Sequence, residues 1–385
     1  MIIQKSVTID SIEELLATES MHDSVRIPLN TSYGGIFGIE AALTQLIITW
    51  AKGEGEKVLH LHCDEDEWAS HVATLGRSSA GLAGLVMCTK VDTKSHIEIE
   101  KSDALLTLLP MIQAMYDGVL KETSNTRGAR PTVINLFSVS SARREYIKPF
   151  YAGGAPPTVH PSDAFAGIID KASTLMQTKA DRRALMKHGL ASLGNVIFEL
   201  ILNADQHATT SLDGEKYKKG LRGLTIKYTK VQRSQLKDKF TGSAATFERF
   251  LANNMTQGDT LDLLEVSVID SGPGMARRWL SHKHGRIIND LTTVTIEEEL
   301  AATMECFEKH VTSKDDEVSG MGLHRATKAM NDLRAFVRLR TGRLSLQQTF
   351  SGKPQTAKFA PKPWKADGKL SAVEGTVFTI CIPVN

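Results

Sequence analysis

The order of patterned segments in the second half of the chain most constrains its fold: helices come first and a run of strands follows. Within Ala180 to His207 the apolar residues Leu190, Leu193, Val196, Ile197, Leu200 and Ile201 recur at helical spacing, and a helix over Ala164 to Thr178 precedes them. Strands are predicted at Leu224 to Val231 and Leu263 to Ile269, with a short helix at Ala244 to Ala252 between them. A helix from Leu323 to about Leu333 then leads into strands near 335–339, 344–350 and 377–384. This order predicts an α/β sandwich with helices layered on one face of a mixed sheet.

The first half alternates strand-like and helix-like segments. Ser24 to Leu29 and Lys57 to Cys63 read as strands, and Gly38 to Ala51 and Glu67 to Leu75 as helices. Ala104 to Leu120 has a helical period interrupted by Pro110, and Thr132 to Phe137 is strand-like. Gly and Pro cluster in Tyr151-Ala-Gly-Gly-Ala-Pro-Pro-Thr, which marks a linker. A chain of 385 residues is therefore expected to form two domains, an N-terminal α/β regulatory or partner-binding domain over 1–155 and a second over 160–385.

Charge and cysteine usage narrow the function classes. Lys plus Arg number 46 against 44 Asp plus Glu, so the global charge gives no reason to expect a nucleic-acid or membrane partner. The stretch Lys216 to Lys239 holds nine basic residues and one acid, Asp238, and leaves a nucleic-acid or acidic contact open beside a plain solvated surface. Cys63, Cys88, Cys306 and Cys381 show no CxxC spacing, as expected of reduced thiols in a cytoplasmic protein. The longest apolar stretches fall far short of the roughly 18 to 20 residues of a spanning helix, so no membrane association is expected.

Four short motifs follow one another in the second half. Glu199 and Asn203, four apart on a helix with an apolar face, lie one turn from each other on one side. The neutral oxygen of Asn203 suits a hydrated Mg²⁺ carried by phosphates, because Mg²⁺ uses few protein ligands. Glu199 can accept a proton from water or a hydroxyl aimed at a γ-phosphate. Asp270 ends the apolar strand LEVSVID and is followed by Ser-Gly-Pro-Gly and Met275. A carboxylate there can take the exocyclic amino proton of adenine, while Gly272 and Gly274 permit a tight turn and close backbone approach to the base. Gly320-Met-Gly322-Leu323 opens a helix whose free N–H groups suit phosphate. Its polar lead-in from Thr312 fits a closing loop in which Lys314 is either solvated or in reach of phosphate. Gly375-Thr376 opens the last strand and adds a hydroxyl near the phosphates. Each fragment alone is ordinary; their order and contexts agree on a nucleotide.

These elements resemble the N box, G1 box, G2 box and closing Gly-Thr strand of the GHKL ATPase superfamily, over about Ala180 to Asn385. The resemblance implies the Bergerat α/β sandwich, ATP and Mg²⁺ as cofactors, Asn203 as metal ligand and Asp270 on adenine. It also implies Gly272, Gly274 and Met275 around the base, a lid from Lys314 to Gly322, and Gly320, Gly322, Leu323 and Thr376 on the nucleotide. No GxxxxGK[ST] sequence competes with it. Glu at 199 matches members that hydrolyse ATP or phosphorylate serine. His188 precedes Gly189 and His160 precedes Pro161, so neither fits the phosphoacceptor of a conventional sensor kinase. The expectation is an ATPase whose nucleotide state controls a protein partner or the N-terminal region, with a homodimer as one way to do so. The alternatives are a protein-serine kinase of the anti-sigma type and a nucleotide-gated binding module with negligible hydrolysis.

The N-terminal alternation faintly resembles STAS-like regulatory domains. Two local features stand apart from the nucleotide motifs. His60 and His62 share a strand face and are metal candidates beside an acidic loop, Asp64 to Asp66. Gly34-Gly35-x-x-Gly38 before a helix reads as a turn or a phosphate cradle.

Overall fold

The structure is a computed structural model that describes residues 1–385 except 19–21, 30–31, 34–36, 125–131, 177–179, 236–244, 256–259, 309–320, 366–369 and 385. The chain begins β1 (Ser6–Val7), α1 (Ile9–Leu16), β2 (Ser24–Val25), β3 (Ser32–Tyr33), α2 (Ile39–Lys52), β4 (Val58–His60), α3 (Trp68–Leu75) and α4 (Ser79–Met87). It continues β5 (Lys90–Asp92), β6 (Glu98–Ile99), α5 (Lys101–Thr107), α6 (Leu109–Asp117), β7 (Val133–Val139), β8 (Tyr151–Ala152), β9 (Thr158–Val159), α7 (Ser162–Met176) and α8 (Ala180–His207). Then come β10 (Leu221–Gln232), α9 (Ala245–Asn254), β11 (Thr260–Asp270), α10 (Met275–His284), α11 (Ile296–Glu305) and α12 (Gly322–Asp332). The chain closes with β12 (Phe336–Gly342), β13 (Leu344–Thr349), β14 (Lys362–Pro363) and β15 (Val373–Pro383).

Local chemistry explains several of these boundaries. Thr8 and Ser11 form a capping box that starts α1, and Thr295 and Glu298 do the same for α11. Pro110 sits in the first turn of α6, where it has no helical N–H to lose, so the expected 104–120 helix divides into α5 and α6. Gly118 closes α6 in a left-handed conformation.

The class is α/β, as expected, but the layering differs. A seven-stranded sheet in the order β14-β13-β12-β15-β11-β10-β7 is antiparallel throughout, not mixed. Among the described residues, the small sheet β2-β4-β5-β6 is the one that mixes parallel and antiparallel pairs. Successive side chains on β11 and β15 point to opposite faces. Val268, Asp270, Thr376 and Phe378 face α8 and α12, whereas Ser267 and Thr379, hydrogen-bonded at 3.0 Å, face α2. Helices therefore cover both faces, with α4 stacked behind α2 through Thr44 and Ser79 at 2.7 Å.

The expected division near 155 is crossed by the sheet. β7 belongs to the N-terminal stretch, yet it is the edge strand beside β10. The Gly/Pro cluster is the turn of the β8–β9 hairpin, anchored by buried Tyr151, whose hydroxyl bonds Asp205 of α8 at 2.8 Å. The main core runs without a break from Met1 to Val384. Among the described residues, no helix is long and apolar enough to cross a membrane.

Candidate functional site

Residues from five elements meet at one end of the sheet. Leu200 and Asn203 of α8, Val268 and Asp270 of β11, Met275 of α10, Leu323 of α12, and Thr376 and Phe378 of β15 line one cavity together with Phe307. It is narrow, about 20 Å³ of free space, which is room for about one water. Asn203, Asp270, Met275, Leu323 and Thr376 were expected from the sequence; the apolar wall of Leu200, Val268, Phe307 and Phe378 was not assigned to a site. Leu200 carried a signal, being part of the apolar stripe on α8.

Asp270 is the best-held polar group there. Its Oδ1 accepts N–H from Gly272 at 2.8 Å and from Thr376 at 3.2 Å. Burial pushes its carboxyl up to about 6, against those two N–H donors and the charge of Lys52. The glycines nearby have structural reasons of their own. A Cβ on Gly272 would stand 2.6 Å from Ala208, just past the end of α8, so the close packing of that segment on the turn already calls for a glycine there. Gly375, at φ 72°, lies so close to the Asp270 carbonyl that a Cβ would overlap it at 1.9 Å. Gly274 has φ 86° and starts α10, whose first N–H, from Met275, bonds Thr341 Oγ1 at 3.1 Å. Thr376 sits beside Asp270, where its N–H is used.

Glu199 lies one turn before Asn203 and is 6% exposed. It points at the start of α12: a Cβ on Gly322 would be 2.6 Å from Glu199 Oε2. Desolvation raises its carboxyl above the usual range, opposed by Arg325, whose Nη1 is 3.6 Å from Oε1. Arg325 was not foreseen, and a lone arginine two residues past the Gly-Leu motif carries no distinguishing signal. Lys314 and Gly320 lie outside the described residues.

Two further contacts hold the site together. Arg278 on α10 donates to the carbonyls of His207 and Ser211 at 2.9 Å each, capping the end of α8 and fixing the Asp270 turn against it. From the opposite face, Gln45 of α2 donates to the carbonyls of Arg340 at 3.1 Å and Gly375 at 3.4 Å, and Lys52 reaches Glu374 at 3.3 Å. The N-terminal layer thus touches the backbone that carries Thr376.

The other sequence candidates resolve differently. Gly38 starts α2, and its N–H serves the carboxyl group of buried Glu265, so this helix terminus already has an internal acceptor. Gly34 and Gly35 lie outside the described residues, as do Lys237, Asp238 and Lys239 of the basic stretch. Within that stretch Arg222 and Lys227 are buried and Lys219 donates to the Cys88 carbonyl at 3.0 Å, so it is not one exposed face.

Comparison with protein-family models, curated proteins and solved structures returns no match.

Proposed function

We propose that the cavity between α8, the Asp270 turn and α12 binds the base of an adenine nucleotide, and that the chain is a Mg²⁺-dependent ATPase. The observation that carries this is Asp270: a buried carboxylate at a strand end that lines the cavity, its Oδ1 fixed by two backbone N–H donors and its carboxyl also met by the Thr376 hydroxyl, so that it is held in place to accept from a ligand amino group. The apolar walls suit the flat faces of a purine. The present space is smaller than a base, so entry requires Met275 and Phe307 to move aside; methionine does so readily. Asn203 would offer its amide oxygen to Mg²⁺ on the phosphates, and α12 its first N–H groups to the phosphates themselves.

Glu199 is assigned as the general base. Its raised carboxyl is a better proton acceptor near neutral pH than an ordinary glutamate, and it lies one turn from Asn203 at the α12 terminus. Gln45 on the Gly375 carbonyl gives nucleotide state a direct route to the N-terminal layer, in keeping with control of a partner.

The test is incubation of the full chain with γ-labelled ATP and Mg²⁺, alone and with cell lysate. Free phosphate should appear, and Glu199→Ala should retain ATP on a filter while turnover falls by about 10²- to 10⁴-fold. Equal turnover in the variant removes Glu199 as base. Label on a protein makes the chain a kinase, and failure of the wild type to retain ATP ends the nucleotide proposal.

A further inference from the structure

His60 and His62 sit two apart in sequence, but among the described residues the three-residue cluster of ligand-type side chains forms around His60. β4 ends at His60, and its parallel pairing with β5 sets His60 opposite Asp92. His60 Nδ1 is 2.7 Å from Asp92 Oδ1, and His96 Nδ1 is 3.2 Å from Asp92 Oδ2. The two imidazole rings stack with centroids 4.7 Å apart, and the three ligand atoms all lie within 4.8 Å of one another. His62, by contrast, is exposed.

The backbone is shaped to bring His96 in. His96 has φ 60°, a left-handed conformation that non-glycine residues rarely adopt. The β5–β6 turn holds it there: the His96 N–H donates to the Thr93 carbonyl at 3.0 Å, and the Thr93 N–H to the Ile97 carbonyl at 3.0 Å. An unusual backbone that aims an imidazole at a carboxylate already facing another imidazole points to a ligand.

We propose that His60, Asp92 and His96 bind a divalent transition-metal ion of the Zn²⁺ class. Two imidazole nitrogens and one carboxylate suit Zn²⁺ and its neighbours, whereas Mg²⁺ and Ca²⁺ take oxygen ligands. In a tetrahedral site with bonds near 2.1 Å, ligand atoms stand about 3.4 Å apart. The two His–Asp distances, 2.7 and 3.2 Å, need only a small opening to reach that spacing. Exposure is graded, with side-chain values of 11% for His60, 14% for Asp92 and 78% for His96. The ion therefore enters from solvent on the His96 side and keeps water in its remaining position. It ties the end of β4 to the β5–β6 hairpin, independently of the nucleotide cavity.

The experiment uses the full chain stripped by a chelator and titrated with Zn²⁺ against a chromophoric competitor, in excess Mg²⁺. One equivalent of Zn²⁺ should bind and raise Tm. His96→Asn retains a residue that tolerates the left-handed backbone, and His60→Gln retains a polar side chain; each should weaken Zn²⁺ at least about tenfold with an unchanged far-ultraviolet spectrum. His96 is exposed, so its variant tests the site even if His60→Gln folds poorly. Absence of stoichiometric binding, or wild-type affinity in His96→Asn, overturns the proposal and leaves a hydrogen-bonded His–Asp–His cluster.

Discussion

Both faces of the seven-stranded sheet bury charge, and they satisfy it by different means. Under the N-terminal layer, Glu13 of α1 takes Arg340 at 3.0 and 2.9 Å and Arg338 at 3.4 Å, and Glu265 is held by the N terminus of α2 near Lys227. Under α8, Arg222 is the cross-strand neighbour of Asp270, yet its guanidinium turns to Glu145 at 2.9 Å and Asp205 at 3.1 Å. Asp270 is left with two backbone donors, the Thr376 hydroxyl and the charge of Lys52, and Glu199 with an arginine that is 60% exposed. Charges closed on one another fix layers in place. A carboxylate whose cross-strand guanidinium is paired elsewhere lines the cavity instead.

The largest effect separating the two kinds of site is expected on the α2 side. Glu13→Ala takes the paired carboxylate from two fully buried guanidinium groups and leaves them neutral partners such as the Ser371 carbonyl and the Ser345 hydroxyl, and the Arg338 guanidinium is already drawn down to about 10 by burial, against Glu13. Removing one partner of a buried ion pair should destabilise the chain by about 3–5 kcal/mol, read by urea unfolding. Nucleotide affinity of the folded fraction should stay unchanged. A loss below about 1 kcal/mol, the range of exposed pairs, would mean that Glu13 closes nothing.

Asp270→Asn should do the reverse. The two backbone N–H donors pin the amide oxygen where Oδ1 now sits, so the NH₂ replaces Oδ2 and meets the adenine amino group donor to donor. Affinity for ATP should fall about 10- to 100-fold, with a relative gain for purines that carry an oxo group at that position. Stability should move the other way with pH. The native carboxyl titrates at about 6 against 3.8 for the free group, so its contribution is full below about pH 3.8 and is lost as pH rises through about 6. The amide does not titrate, so the variant should gain on the wild type between about pH 4 and 7 in unfolding experiments. A fall in stability like that of Glu13→Ala would erase the distinction between the two faces.

The difference between the faces also explains what the sequence could and could not show. α8 was legible because its apolar period is local, and the end of β11 was legible because Gly272 follows it closely. β15 starts at Val373, two residues before the Gly375-Thr376 expected to open it, because the strand runs on through Gly375 instead of breaking there. The covering of the second face left a trace in the near-continuous apolar run of Val377 to Val384, as expected of a strand buried on both sides. Its partner was not legible: Glu13 and Arg340 are 327 residues apart, and no local period links them. The placement of β7 beside β10 is likewise a long-range pairing, so the strand was visible and its sheet was not. At the site, Asn203, Asp270, Met275, Leu323 and Thr376 were readable from motif chemistry, whereas the apolar wall of Leu200, Val268, Phe307 and Phe378 was not, because apolar residues look the same in sequence whether they face a cavity or a core. Arg278 and Gln45 act on backbone carbonyls, which any residue supplies, so nothing in the sequence marks their targets.

The finest distinction is within the α8 face itself, between a carboxylate that works by position and one that only ties α8 to α12. Gly322→Ala places a Cβ 2.6 Å from Glu199 Oε2 but 3.4 Å from its Cδ, so the tip of the side chain can swing away without moving either helix. The alanine also gains up to about 1 kcal/mol of helix propensity over glycine, less at a first turn, so stability should change little. If Glu199 is a base, its displaced oxygen should reduce turnover by about tenfold with ATP affinity unchanged, because a small misplacement of a catalytic group acts on the chemical step. Were Glu199 only a tie to Arg325, the same swing would loosen a weak, exposed ion pair and leave turnover where it was. Steady-state kinetics on this one methyl group therefore separates catalysis from scaffolding more cleanly than deletion of the glutamate, which removes both at once.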